Sequence, residues 1–538
     1  MKKNYVFIYF AILTVVVFFA IAFQHPGGDR LQVAAQMGNS IHNELLNKWY
    51  PLSVDNEQGG FLSTFTYDFK PVGPQDKMIV TQARHVWSNA KAAELYPENI
   101  SYKNNARHGF LFLRDIMWDK SYGGFYTLVD RKGNVKQTGL GIKMAYGNAF
   151  GIYALAAYYQ CSGDTSALNL AVKTFLWLEK HSHDPVNKGY FQHLQRDGEP
   201  VNRTSATNNN AETGYKDQNS SIHLLEAFTE LYKVWPDHLL WERLNEMLLL
   251  VRDTITNKEG YLILFFQPDW TPVSLRDSAK GVILKNHNLD YVSFGHNIET
   301  AYLMLEASQA LGLKNDSVTL AVGKRMVDHA IKNGWDKQVG GFYDEGFYFK
   351  GSDSITILKD TKNWWAQAEG LNSLLLMSDY FPKDSLHYYE KFLTLWNYVQ
   401  TYLIDHEYGD WYTGGLDKEP ELKRALKGQI WKGTYHTFRA LANCVERLDP
   451  DTIPPTAPQK LSGKIKAGNI ILQWTGANDN KNLLGYNIYR DNIRLGFTPF
   501  NFFSIDDIEK NRTKYFAVRA IDISGNESKS SNQINIYR

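Results

Sequence analysis

The sequence predicts a mainly helical protein, an (α/α)6 barrel followed by a small all-β, immunoglobulin-like sandwich. Three observations carry that prediction. A glycine-aromatic pair recurs six times, amphipathic helical runs flank each recurrence, and a proline-rich break separates them from short alternating runs near the C-terminus.

The pairs are Gly60-Phe61, Gly124-Phe125, Gly189-Tyr190, Gly260-Tyr261, Gly341-Phe342 and Gly409 with Trp411, at intervals of about 64 to 81 residues. Each opens a short aromatic, strand-like stretch, such as Gly123 to Gly133, usually after an Asp or Asn turn. Six hairpins thus punctuate twelve helices. In the run Asn219 to Trp235, Leu224, Leu225, Phe228, Leu231, Tyr232 and Trp235 recur at three-to-four spacing, while His223, Glu226 and Glu230 lie roughly 100° away. Twelve such helices bury their apolar stripes by closing into a ring or by stacking indefinitely. Closure at six pairs gives the barrel; an open solenoid is the alternative, but its repeats are shorter and lack recurrent hairpins.

The two ends of the chain read differently from the barrel, which spans residues 33–448. Lys2 and Lys3 precede an apolar run from Tyr5 to Phe23, and Ala20-Ile21-Ala22 forms a small-x-small cleavage site, so residues 1–22 read as an export signal or an uncleaved membrane anchor. The remaining chain is expected outside the cytoplasm, periplasmic or extracellular. Pro454, Pro455 and Pro458 make 449–458 a stiff linker. Runs such as Asn469 to Trp474, Gly485 to Arg490 and Lys514 to Ile523 then give the sandwich, residues 459–538. It carries no catalytic constellation, so the barrel is expected to keep its turnover without it.

Composition narrows the chemistry. The chain has 538 residues, with 58 Lys+Arg against 57 Asp+Glu, and this balance argues against a nucleic-acid binder. Two cysteines, Cys161 and Cys444, exclude a disulfide scaffold and a four-cysteine zinc site. The 14 Trp, 32 Tyr and 29 Phe exceed what a core requires, and aromatic faces suit the C–H faces of sugar rings.

The helices that follow the hairpins open with polar or ring-bearing residues: Arg84 and Trp87; Tyr146 and Asn148; Asn219 and His223; His296 and Glu299; Trp364, Trp365 and Glu369; Trp431, Tyr435, His436 and Arg439. Equivalent positions in a closed ring converge on one mouth, where helix N-termini help to keep imidazoles neutral. Of five His-x-x-acid pairs, only His223 with Glu226 and His296 with Glu299 begin such a helix. A metal is the competing use of that spacing, but no HExxH or EF-hand string accompanies it, and no metal is expected.

The segments QARHVW (Gln82 to Trp87), AYGNAFGIYALAAYY (Ala145 to Tyr159), NSSIHLLEAFTELY (Asn219 to Tyr232), SFGHNIETAYLMLEA (Ser293 to Ala307), WWAQAE (Trp364 to Glu369) and WKGTYHTFR (Trp431 to Arg439) resemble the N-acylglucosamine 2-epimerase superfamily, most closely its cellobiose and mannobiose 2-epimerase branch. The resemblance runs in order over about residues 33 to 448 and implies an (α/α)6 barrel. By it the family's arginine maps to Arg84, its histidines to His223, His296 and His436, its acidic partners to Glu299 and Glu369, and its stacking tryptophans to Trp365 and Trp431. Asn297 stands where the family often has Asp, and Thr434 and Thr437 replace its Pro and Asn, so altered sugar contacts are expected there.

The implied chemistry opens the reducing-end sugar, removes the carbon 2 proton to give a cis-enediolate, and returns a proton to the other face. His296 and His436 are the acid-base pair, His223 assists binding or ring opening, and Arg84 holds the enediolate oxygen. Glu299, one turn from His296, is expected to orient that ring. Tyr146, Asn148, Asn219, Trp364, Trp365, Glu369, Trp431 and Arg439 are expected to bind a disaccharide or oligosaccharide. No cofactor is required, and the sandwich is a candidate contact to polysaccharide or cell surface. The rivals are a glycoside hydrolase or lyase using Glu299 and Glu369, and a non-catalytic sugar-binding surface protein.

Overall fold

The computed structural model describes residues 26–138, 141–203, 212–506 and 513–537; the export segment at 1–22 lies outside them. Among the described residues no helix is long and apolar enough to cross a membrane.

Among the described residues twelve long helices form two concentric rings. The outer ring is α1 (Pro26–Asn39), α3 (Ile100–Phe112), α5 (Thr165–His181), α7 (His238–Leu250), α9 (Ser317–Gly334) and α11 (Tyr388–Tyr402). The inner ring is α2 (Ile79–Leu95), α4 (Ala145–Ser162), α6 (Gln218–Val234), α8 (Phe294–Ala310), α10 (Trp364–Tyr380) and α12 (Tyr435–Leu448). Each inner helix packs on the next, and α12 returns to α2, so the ring is closed. The first outer helix, α1, lies against the last inner one, α12, and starts at Pro26, before the expected 33; proline favours a first helical turn. Inner helices are buried nearly all round: in α4 sixteen consecutive residues, Ala145 to Gln160, are inaccessible. Outer helices such as α9 bury one stripe.

The hairpins are built by one repeated device. An Asp carboxylate closes a turn on the backbone N–H groups two or three residues ahead, as Asp119 does for Ser121 and Tyr122 and Asp184 for Val186 and Asn187. Two left-handed residues follow, for instance Gly123 (φ 72°) and Gly124 (φ 72°), and the next residue, Phe125, is driven into the core. The Asp then receives a buried lysine from the segment leading to an inner helix: Lys77 to Asp55, Lys143 to Asp119, Lys216 to Asp184, Lys362 to Asp336 and Lys427 to Asp405, all at 2.7 to 3.1 Å. A third clamp runs from the inner helices, where the side-chain oxygens of Gln82, Asn148, Asn297 and Gln367 accept the N–H of Phe61, Phe125, Leu262 and Phe342.

The fourth unit departs from this pattern. Asn257 replaces the Asp, Val292 stands where the lysine would be, and the turn has one left-handed residue, Gly260. The buried apex is therefore Leu262, bridged to Thr256, rather than the Tyr261 that the sequence spacing suggests. Charge and counter-charge are absent together, as expected if either alone is unfavourable in the core.

Residues 450–458 carry neither helix nor strand, and the sandwich follows. Its strands are β1 (Gln459–Lys466), β2 (Asn469–Thr475), β3 (Leu483–Arg490), β4 (Ile493–Thr498), β5 (Phe502–Ile505), β6 (Thr513–Asp522) and β7 (Ile534–Tyr537). They form two antiparallel sheets, β1-β2-β5 and β4-β3-β6-β7, around Leu472, Trp474, Ile488, Phe516 and Val518.

Breaking one buried pair leaves an uncompensated charge, so Lys216→Met should lower stability by about 3–5 kcal/mol in denaturant unfolding. Copying the fourth unit with Lys216→Val and Asp184→Asn together should recover most of that loss. A double variant no more stable than the single one would show that the pair does not act as a unit.

Candidate active site

The inner helices enter the ring at one end, directly after their hairpins, so their first turns surround a common mouth. Arg84 on α2, Tyr146 on α4, His223 on α6, His296 on α8, Trp365 on α10 and His436 on α12 meet there. Arg84 donates to the Tyr146 hydroxyl and the Trp431 carbonyl, both at 3.2 Å, and stacks over Phe150 and Tyr435. The Trp365 ring lies 4.7 Å from His296 and 5.7 Å from His436, so both imidazoles face one indole.

Below the mouth, Arg439 ties the acids together. Its Nη2 donates to Glu299 Oε1 and Glu369 Oε1, each at 2.6 Å, and its Nη1 donates to Glu226 and the Tyr435 hydroxyl. Glu226 Oε2 in turn accepts from His223 Nδ1 at 2.8 Å, Glu369 Oε1 from His436 Nδ1 at 2.6 Å, and Glu369 Oε2 from Tyr302 at 2.8 Å. A carboxylate accepts only, so the rings of His223 and His436 carry a proton on Nδ1 and turn Nε2 away from the acids.

Glu299 does not orient His296. It is bonded to Arg439 and approaches His436 Nδ1 at 3.9 Å, whereas His296 Nδ1 is held by Ser293 Oγ at 2.9 Å. The same three-residue spacing does join His223 to Glu226; here Arg439 takes the Glu299 carboxyl, and Ser293, which also accepts the His296 N–H as the helix cap, is the partner left for the ring. Two further expectations change. Asn148 is fully buried and holds the second hairpin through Phe125 N–H and the Met144 carbonyl, away from the mouth. Trp364 is buried against Lys432, while its neighbour Trp365 takes the exposed side. Asn219 lines a cavity of about 240 Å³ beside His296, and Trp431 stands 37 % exposed at the rim.

The three departures from the family pattern lie behind the site rather than in it. Asn297 clamps Leu262, Thr434 meets the Tyr50 hydroxyl, and Thr437 is fully buried. Glu226, Ser293 and Tyr302 complete the network without having been singled out as site residues. Glu226 was legible from its His-x-x-Glu spacing, and Ser293 and Tyr302 each sit three residues from a site residue on the same helix.

Burial sets the charges. It holds His296 down to about 3, and burial with the nearby Arg84 and Arg439 pushes His436 well below the ordinary imidazole range. Burial and the adjacent Glu369 push Glu299 up to about 7, against the pull of Arg439. For Glu226 the burial penalty is outweighed by Arg439 and His223, which bring it down to about 2. Both candidate proton carriers are therefore neutral at physiological pH. Glu299, Glu369 and His436 offer ligand atoms within 4.8 Å of one another, but the Arg439 guanidinium bridges both carboxylates, so a fixed cation takes the place a metal ion would fill.

A closed helical barrel whose mouth gathers neutral imidazoles, an arginine and an exposed indole belongs to an enzyme that moves protons on an uncharged, hydroxyl-rich substrate, an isomerase of the sugar-epimerase kind. Residues 59–440 match the family model described as N-acylglucosamine 2-epimerase, and the chain belongs to that family. It is 26% identical over 419 residues to the cellobiose 2-epimerase of Bacteroides fragilis, covering 77% of this chain and 98% of that one. It is likewise 26% identical to the D-mannose isomerase of Marinomonas mediterranea, with 74% and 94% covered. The solved cellobiose 2-epimerase from Bacillus thermoamylovorans superposes with a TM-score of 0.66 at 26% identity, over 77% of this chain and 99% of that one.

If Ser293 fixes the His296 ring, Ser293→Ala should lower kcat roughly tenfold, the worth of one lost hydrogen bond to a reacting group, with KM little changed. An equal loss from Glu299→Gln alone, with Ser293→Ala silent, would return the orienting role to Glu299.

Proposed function

We propose that the chain epimerises carbon 2 of the reducing-end sugar of a β-1,4-linked disaccharide or oligosaccharide, interconverting glucose and mannose through ring opening and a cis-enediolate. The observation that carries this reading is the unlike anchoring of two imidazoles against one indole. His436 gives Nδ1–H to Glu369 and so presents a basic Nε2. We assign the Ser293 hydroxyl, which already accepts the His296 N–H, as the donor to His296 Nδ1, an assignment that leaves that ring with Nε2–H, an acid. A base on one side and an acid on the other is what removal of a proton from one face and return to the opposite face demand, each transfer contributing about 10² to 10⁴ in rate. Arg84 neutralises the enediolate oxygen, and Trp365 and Trp431 hold the sugar rings. The proton removed stays on His436 and the proton returned leaves His296 one short, so proton exchange of both rings with solvent restores the starting pair; in the reverse direction the two rings exchange roles.

The relatives support the substrate class: that of Bacteroides fragilis is a cellobiose 2-epimerase. A second reading, aldose-ketose isomerisation, is favoured by the D-mannose isomerase relative and shares the enediolate. The hydrolase reading fares worse, because Glu299 and Glu369 are fully buried and both bonded to the same Arg439 nitrogen, whereas glycosidase carboxyls flank the bond they cleave. Export, read from residues 1–22, and contact of the sandwich with polysaccharide or a cell surface remain part of the proposal.

Product formed in heavy water should carry deuterium at carbon 2, and His296→Asn or His436→Asn should each cost at least about 10² in turnover. Deuterium-free product, or full activity in both variants, overturns the scheme; a ketose product selects the second reading. Because burial keeps both rings neutral, neither adds an acid limb between pH 8 and 6, and in Glu299→Gln, which removes the carboxyl pushed up to about 7, kcat/KM should stay level over that range. An acid limb centred on the ordinary imidazole value of about 6.5 would show that neither ring carries the shift.

A further inference from the structure

The relatives cover about three quarters of this chain and leave the sandwich over. It does not hang from its linker. The face carrying β3, β4 and β6 docks on the base of the barrel, where the inner helices end. Arg494 donates to the Tyr232 carbonyl at 2.7 Å, the Tyr159 hydroxyl to the Phe497 carbonyl at 2.8 Å, and Asn482 to the Leu95 carbonyl at 3.2 Å. Phe497, 2% exposed, belongs to the barrel core rather than to that of the sandwich.

What lies above this contact is charged. Lys91 pairs with Glu230 at 2.8 Å and Glu94 at 3.2 Å, and Lys233 pairs with the other oxygen of Glu230 at 2.9 Å. These residues wall a cavity of about 220 Å³ whose roof is Glu226 and Arg439 and whose lower lining includes Ile523, from the turn after β6. A second cavity, about 430 Å³, separates the same cluster from Arg494, Asp522 and Ser524. Glu226 and Glu230 lie one turn apart on α6, and on α2 Lys91 lies two turns below Arg84 and about one turn above Glu94, so a column of ionic groups runs from the mouth to the sandwich.

We propose that the sandwich is the floor of the active site: it limits the access of bulk water to the axial cavity beneath Arg439, and so keeps Arg439, Glu226 and Glu369, and through the two carboxylates the rings of His223 and His436, in a buried setting. The kinetic part of this inference rests on the function proposed above. Charges in a water-poor cavity act strongly on one another, and the same charges in contact with bulk solvent are screened. The depression of the His296 and His436 rings has burial as its leading cause, so opening the floor returns them toward ordinary values and moves the acid limb upward. The residues of the sandwich act through this contact and touch no substrate, and turnover thereby depends on the sandwich, contrary to the expectation from sequence that the barrel would keep it unaided.

The test uses two variants of the full chain, Ile523→Ser, which thins the seal, and Arg494→Glu, which removes the donor to Tyr232 and sets an acid beside the cluster. Amide hydrogen exchange at residues 91–95 and 230–234 reads the seal, and kcat against pH on a soluble β-1,4-linked disaccharide reads its effect. Expected are exchange at least about tenfold faster, kcat about three- to tenfold lower with KM changed less than about twofold, and an acid limb raised by about half a pH unit or more. Faster exchange with kcat and pH profile unaltered overturns the proposal, and so does unaltered exchange in both variants. An unaltered chain inert toward every sugar counts against the proposed function instead, and the exchange arm then decides the seal by itself.

Discussion

A buried lysine and a buried aspartate, joined in five of six units, set the geometry on which the barrel depends. The Asp fixes a turn that the backbone alone would leave open, and the Lys ties that turn to the segment entering an inner helix. Because the same two groups are joined each time, the inner helices begin at matching heights around the ring. A mouth made of first turns is a consequence of that register. The fourth unit shows the rule by its exception, since Asn257 and Val292 are neutral together and the hairpin there is one residue shorter in its turn.

Charge is handled differently along the axis. There the acids outnumber the fixed cation, with Arg439 holding Glu226, Glu299 and Glu369 at once. One guanidinium cannot neutralise three carboxylates, so burial forces a proton onto the group least well served, and Glu299 is pushed up to about 7. Glu226 and Glu369 keep donors on both oxygens, and these are the two that grip histidine rings. Two of the three imidazoles, His223 and His436, are thereby positioned by carboxyl groups that are themselves positioned by a single arginine, while His296 is held by the Ser293 hydroxyl.

Much of this was legible in the residues. The glycine-aromatic recurrence located the six hairpins, and the break at Pro454 to Pro458 separated helix from strand, because turn chemistry is local. The ring of mouth residues followed from closure alone. What was not legible is the partner choice among neighbours. Trp364 and Trp365 are adjacent and identical, and only the direction of helix entry decides which one meets His296. Asn148 has the chemistry of a sugar contact but is spent on its own hairpin. Glu299 has the right spacing from His296 but leans toward Arg439, which is 140 residues away in sequence. The lysines of the clamps look like surface residues until the fold buries them.

The seam of the ring has a different kind of consequence. Its two sides are α1 and α12, the first and last helices, joined by Arg30 reaching the Arg447 carbonyl at 2.7 Å, and by the bridge from Phe65 to Gly428. A chain made from its N-terminus must therefore hold α1 without its partner until nearly all of the barrel has been synthesised. The intervening units can pair locally, inner helix on outer, but the circle stays open and its apolar inner faces stay unshielded. Birth of the final helix is the closing event, so late truncations inside α12 should leave an aggregating chain rather than a weaker enzyme.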